Sequence, residues 1–166
     1  MKPRLQVGRA ARARGFTFVE LMVTLAIMAV LASVAVPFMQ IETQRRKEHE
    51  LRFALVELRD AIDRYKRAVE EGRIASSLGD SGYPKSLATL VEGVDDLRSP
   101  NKQKIYFLRR IPRDPFADDA TADPAAGWGV RSYASPPDDP AEGDDVFDVF
   151  SRSPRIALDG TAVHAW

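Results

Sequence analysis

From Phe16 to Ile41 the chain runs through 26 residues, FTFVELMVTLAIMAVLASVAVPFMQI, that carry one charged side chain, Glu20. A helix of about 20 apolar residues crosses a hydrocarbon core of roughly 30 Å, so this stretch predicts a membrane-spanning helix. The pattern then changes. Leu51, Leu55, Leu58, Ile62, Tyr65 and Val69 recur at steps of four and three, with Arg, Glu, Asp and Lys on the other faces. That spacing predicts an amphipathic continuation of the helix whose apolar stripe packs on a globular domain. A coiled-coil seam is the alternative, but the stripe spans fewer than three heptads and lacks regular flanking charges. Glu70-Glu71-Gly72 supplies a stop, with glycine suited to the residue after a helix.

Residues 73–82 (RIASSLGDSG) are polar and glycine-bearing and predict a loop. Tyr83 to Gly93 (YPKSLATLVEG) predicts a short second helix, with Pro84 near its start, Leu87, Leu90 and Val91 on one face, and Gly93 closing it. Ile105–Leu108 forms another apolar group, and the prolines of the following RRIPRDPF exclude a long central strand there. Trp128–Ala134 and Val146–Ser151 show partial alternation and predict two strands. The connection between them, SPPDDPAEGDD, is too rich in Pro and Asp for regular structure. The order is that of an α+β protein: a long N-terminal helix packed on a small domain with a short antiparallel sheet.

Charge refines this picture. The 24 basic and 24 acidic residues cancel, yet Lys2, Arg4, Arg9, Arg12 and Arg14 fall in the first 15 positions, which contain no acid. Without those five, 19 basic residues face 24 acidic ones, a net of −5. Positive charge concentrated in a leader argues against a nucleic-acid-binding face. Placed before an apolar helix, it predicts a cytoplasmic N-terminus with the remainder outside. A cleaved secretory signal would have a shorter apolar region, although Ala32-Ser33-Val34-Ala35 imitates a cleavage site. The chain has no cysteine, which excludes a disulfide scaffold and a thiolate zinc site.

Candidate chemistry is sparse. No Gly-x-Ser-x-Gly elbow, phosphate-cradling glycine loop or His-Glu-x-x-His motif occurs, so the expectation is a structural protein rather than an enzyme. Asp114, Asp118 and Asp119 could supply a carboxylate pair, but no apolar surroundings are visible in the sequence to raise a pKa. His49 and His164 are too far apart in sequence to suggest a zinc pair on one helix. Asp138, Asp139, Glu142, Asp144, Asp145 and Asp148 place six acids in eleven positions with no base among them. Oxygen ligands at that density suit calcium, and a solvated acidic loop is the simpler alternative. Glu20 is the anomaly, because a carboxylate inside a spanning helix is costly and is usually functional or paired.

Gly15-Phe16-Thr17-Phe18-Val19-Glu20, after a basic leader and before an apolar helix, resembles the processing signal of the type IV pilin-like superfamily. YPKSLATLVEG, FLRRIPRDPF and the two strand segments extend the likeness to the major, G-type pseudopilins of type II secretion systems. The resemblance implies a leader (1–15) that a prepilin peptidase removes between Gly15 and Phe16, and N-methylation of Phe16. It implies a transmembrane and filament-core helix (16–41), its periplasmic continuation (42–71) and a periplasmic domain (72–166). Glu20 becomes the assembly residue, pairing with the Phe16 amine of a neighbouring copy, and Pro37 the site of a helix kink. Implied partners are further copies in a helical filament, other pseudopilins, and an inner-membrane platform driven by a cytoplasmic ATPase. The family also binds calcium through a loop near its end, where this chain offers Asp159 alone. A pilin for adhesion or motility, and a single-pass periplasmic binding domain, are the alternatives.

Overall fold

The computed structural model describes residues 15–77, 79–101, 103–117 and 123–166. The basic leader, Asp118 and Asp119 lie outside the described residues. The chain divides into two compact units, Met1–Gln40 and Ile41–Trp166.

Helix α1 covers Phe18–Glu70, 53 residues, and is helical through Pro37. Its start is set by Thr17, whose hydroxyl accepts the Glu20 N–H at 3.2 Å and so satisfies one of the donors a helix leaves open at its N-terminus. Within the first unit the described side chains of α1 are apolar apart from Glu20, Thr24, Ser33 and Gln40. Within the second it is amphipathic as predicted: Leu51, Leu55, Leu58, Ile62 and Tyr65 are buried, joined by Ala54, Ala61 and Ala68. The helix ends on a two-bond motif, with Arg73 N–H donating to Ala68 O and Gly72 N–H to Val69 O, both at 2.9 Å. Gly72 has φ +67°, a left-handed conformation that glycine adopts without a Cβ penalty.

The rest of the second unit wraps the buried stripe. Helix α2 (Leu87–Glu92) starts at Ser86, whose hydroxyl accepts from Thr89 N–H, and stops at Gly93, so the predicted segment is helical over its C-terminal half. Two short strands follow that the sequence did not announce, β1 (Val94–Asp95) and β2 (Lys104–Ile105), paired antiparallel. β3 (Trp128–Arg131) and β4 (Asp148–Ser151) form a second antiparallel ladder, Trp128 opposite Ser151 and Arg131 opposite Asp148. The expected antiparallel sheet is the β3–β4 pair, and β1–β2 is a second, separate one. β3 also stops three residues short of the expected Ala134. Its next amides are claimed from outside the ladder, Ser132 N–H by Ala141 O and Tyr133 N–H by the Asp145 carboxylate. Gly129 is required where it stands, because a Cβ there would lie 2.3 Å from the Phe150 ring.

The RRIPRDPF segment is a structural joint between the ladder and the core. Phe107 and Leu108 are buried, and both their amides donate to Leu90 O of α2. Asp114 is buried as well. One of its oxygens accepts Phe116 N–H at 2.8 Å and the other the Ser151 hydroxyl at 2.5 Å. Its carboxylate is thus spent on fixing a turn against β4. Trp128 Nε1–H donates to Pro112 O at 2.8 Å, closing the same joint from the other side.

Candidate functional site

The sequence-predicted site residues fall in two places, the start of α1 and the acidic and C-terminal loops. Gly15, Phe16 and Thr17 precede the helix, and Glu20 sits in its first turn, where a carboxylate opposes the positive end of the helix dipole. Thr17-Phe18-Val19-Glu20 has the spacing of a capping box, a local reason for an acid at position 20. Gly15 has an ordinary φ, and a Cβ built there meets nothing within 4 Å. The fold places no demand for glycine at this position.

The helix that follows exposes apolar surface all round. Phe16 is 79% exposed, Leu21 51%, Leu25 56% and Val30 66%. Its most apolar 18-residue window has a mean hydropathy of 2.4 and is long enough to cross a membrane. Thr24 and Ser33 donate their hydroxyls to the carbonyls of Leu21 and Val30, at 2.8 and 2.7 Å, so neither hydroxyl seeks water. A helix apolar on every face is stable only when surrounded by lipid or by other apolar protein.

The acidic loop is differently arranged from the crowd of bare carboxylates that its sequence suggests. Asp145 accepts from the Ser132 hydroxyl and Tyr133 N–H, each at 2.8 Å. Burial alone would raise its pKa, but the hydrogen bonds from Ser81, Tyr133 and Ser132 outweigh this and hold it below the usual carboxylate range. Asp148 pairs with Arg59 at 2.8 Å and Arg131 at 3.4 Å, and Glu142 with Arg152 at 2.7 Å. The bases absent from the local sequence arrive from α1, β3 and the segment after β4. Among the described residues no three His, Cys, Asp or Glu side chains gather as a metal-binding group.

The residues near the end of the chain likewise do not fit calcium. Asp159 Oδ1 accepts the N–H and the hydroxyl of Thr161, at 2.9 and 2.6 Å, and Oδ2 faces Arg52 at 3.1 Å. Thr161's hydrogen bonds, with Arg52's charge beside them, hold the Asp159 carboxyl below its ordinary pKa. Calcium takes six to eight oxygens, and this turn offers a single carboxylate already engaged on both atoms.

An exposed apolar N-terminal helix with a glycine-led entry, running into a small α+β domain, defines a type IV pilin-like subunit. The family model described as the prokaryotic N-terminal methylation motif matches residues 10–36, spanning Gly15, Phe16 and Glu20. The type II secretion system core protein G of Klebsiella pneumoniae is 30% identical over 141 residues, covering 81% of this chain and 93% of that relative. Core protein G of Dickeya chrysanthemi is 28% identical over 81% of this chain and 84% of its own. That of Escherichia coli (strain K12) is 31% identical over 64% and 68% respectively. No solved structure matches the chain. The chain belongs to the type II secretion system core protein G family. It is a pseudopilin, a pseudopilus subunit of that secretion system that assembles with other pseudopilins.

Proposed function

We propose that the chain is made as a precursor with a cytoplasmic leader (1–15), cut by a prepilin peptidase between Gly15 and Phe16 and methylated on the Phe16 amine. Residues 16–41 hold it in the bacterial inner membrane and later line the filament core, while 42–71 and the domain 72–166 lie in the periplasm. Copies assemble with one another and with other pseudopilins into a helical pseudopilus that drives protein export, on an inner-membrane platform powered by a cytoplasmic ATPase. Glu20 takes the Phe16 amine of a neighbouring copy, so that two groups costly in an apolar core neutralise each other. Pro37 lacks a backbone donor and loosens the helix where it leaves the membrane.

One observation carries this reading. Gly15 has no structural reason to be glycine, yet it immediately precedes a helix exposed and apolar on all sides. A small residue that the fold does not need suits an enzyme that must reach the adjacent peptide bond. Mass spectrometry of the membrane-extracted protein should find N-methyl-Phe16 at the N-terminus. A chain beginning at Met1, or after Ala35, would overturn the proposal. A motility pilin would instead leave secretion intact and abolish twitching when deleted.

A further inference from the structure

Four α1 side chains grip β4 and the segment that follows it. Gln44, Glu48, Arg52 and Arg59 are separated by four, four and seven residues, which aligns them along one face of the helix. Gln44 donates to Ile156 O at 3.1 Å and to Glu48 Oε1 at 3.0 Å. Glu48, a buried carboxylate only 9% exposed, accepts Leu158 N–H at 2.8 Å. Arg52 reaches Asp159 and lies over the Trp166 ring, 4.2 Å from its centre. Arg59 donates to Val149 O, to Trp166 O and to Asp148. Between these contacts the chain folds back on itself, Ile156 bridging Ala162 around Gly160, whose φ is +85°.

We propose that this ladder replaces a divalent ion, with the Arg52 guanidinium as the built-in counter-cation of Asp159, and that docking of residues 156–166 on α1 is independent of metal. A bound ion would stabilise the segment by an amount that rises with the logarithm of its concentration above the Kd, by mass action. A guanidinium carried on the helix is present at every ion concentration. Its geometry also suits the task. The planar fork meets a carboxylate on one side and stacks on an indole on the other, which a spherical ion cannot do. Glu48 explains why the ladder does not rest on one exposed ion pair. Its carboxylate oxygen accepts from Gln44 on the helix and from the Leu158 amide, so the docked segment is also held by a buried hydrogen bond that undocking would break.

The test uses the full-length protein in detergent, with hydrogen exchange read at the Ala157 and Leu158 amides in excess calcium and in excess chelator. Wild-type protection is expected to agree within about twofold between the two conditions. Arg52→Gln with Arg59→Gln should lower protection at these amides by about tenfold or more, with Phe107 and Leu108 unchanged and no recovery in calcium. A rise of about tenfold on adding calcium to the wild type, or undiminished protection in the double variant, would overturn the proposal. Should the double variant also lose protection at Phe107 and Leu108, Arg52→Gln alone decides. A local loss of about threefold that calcium does not restore supports the ladder, and no loss refutes it.

Discussion

The two halves of α1 solve opposite problems with the same backbone. From Phe18 to Ser33, and again from Phe38 to Gln40, nearly every side chain is apolar or exposed to its surroundings. From Ile41 to Glu70 one apolar stripe is buried under the domain, while Phe53 and Val56 stay exposed on another face. Helical propensity does not distinguish the halves; what differs is the surroundings each is built for. Mutations should separate accordingly, those in the first half acting on processing and assembly and those in the second on stability.

The largest effect is expected at Gly15. Gly15→Val should leave the precursor uncut and secretion abolished, while the melting temperature of the protein stays unchanged, because the new side chain meets nothing in the fold. Full-length mass by spectrometry and a melting curve together check both halves of that statement. Glu20→Ala comes next. Abundance and cleavage should remain normal, since removing a carboxylate eases insertion and the lost dipole interaction is worth about 0.3–1 kcal/mol. Filaments should nevertheless be few, because breaking a desolvated pair costs roughly 3–5 kcal/mol. Wild-type filament yield after shearing would return Glu20 to a purely local role as a first-turn acid.

Leu58→Ala removes a fully buried side chain and should cost about 2–5 kcal/mol in denaturant unfolding. Leu25→Ala, the same change in the exposed half, should stay within about 0.5 kcal/mol. Equal effects would dissolve the contrast between the halves. The smallest effect concerns Asp145, whose pKa in the fold is depressed. A depressed carboxyl stabilises above its unfolded pKa of about 3.9, and that contribution is lost as pH falls through the folded value. Asp145→Asn should therefore lower the melting temperature by about 1–3 °C at pH 7 and by less and less below about pH 4.

Much of this was legible before any coordinates. The apolar run, the Leu51 to Val69 stripe, the Gly72 stop and the second helix are local patterns, and local patterns survive folding. The β1–β2 pair escaped because two-residue strands are too short to show a period. The ion pairs of the acidic loop were hidden for a different reason. Its balancing charges, Arg59, Arg131 and Arg152, are 89, 17 and 10 positions from their acids, so a window of eleven residues sees carboxylates alone. Glu48 was invisible within the polar face of α1, since nothing in the sequence tells a buried acid from a solvated one until the Leu158 amide is placed against it. Thr17, by contrast, was readable from its spacing to Glu20 and was overshadowed by the motif that contains both.

Thr24 and Ser33 bear on how this helix moves. Each hydroxyl bonds to a carbonyl three residues back in the same helix, so its partner travels with it. Hydroxyls satisfied in this way can pass from lipid into a protein bundle, or back again, without stranding a donor. The exchange is then close to reversible in its polar chemistry. A machine that moves such a helix then works against its apolar contacts and the pairing of Glu20, with these two hydroxyls adding nothing to the load.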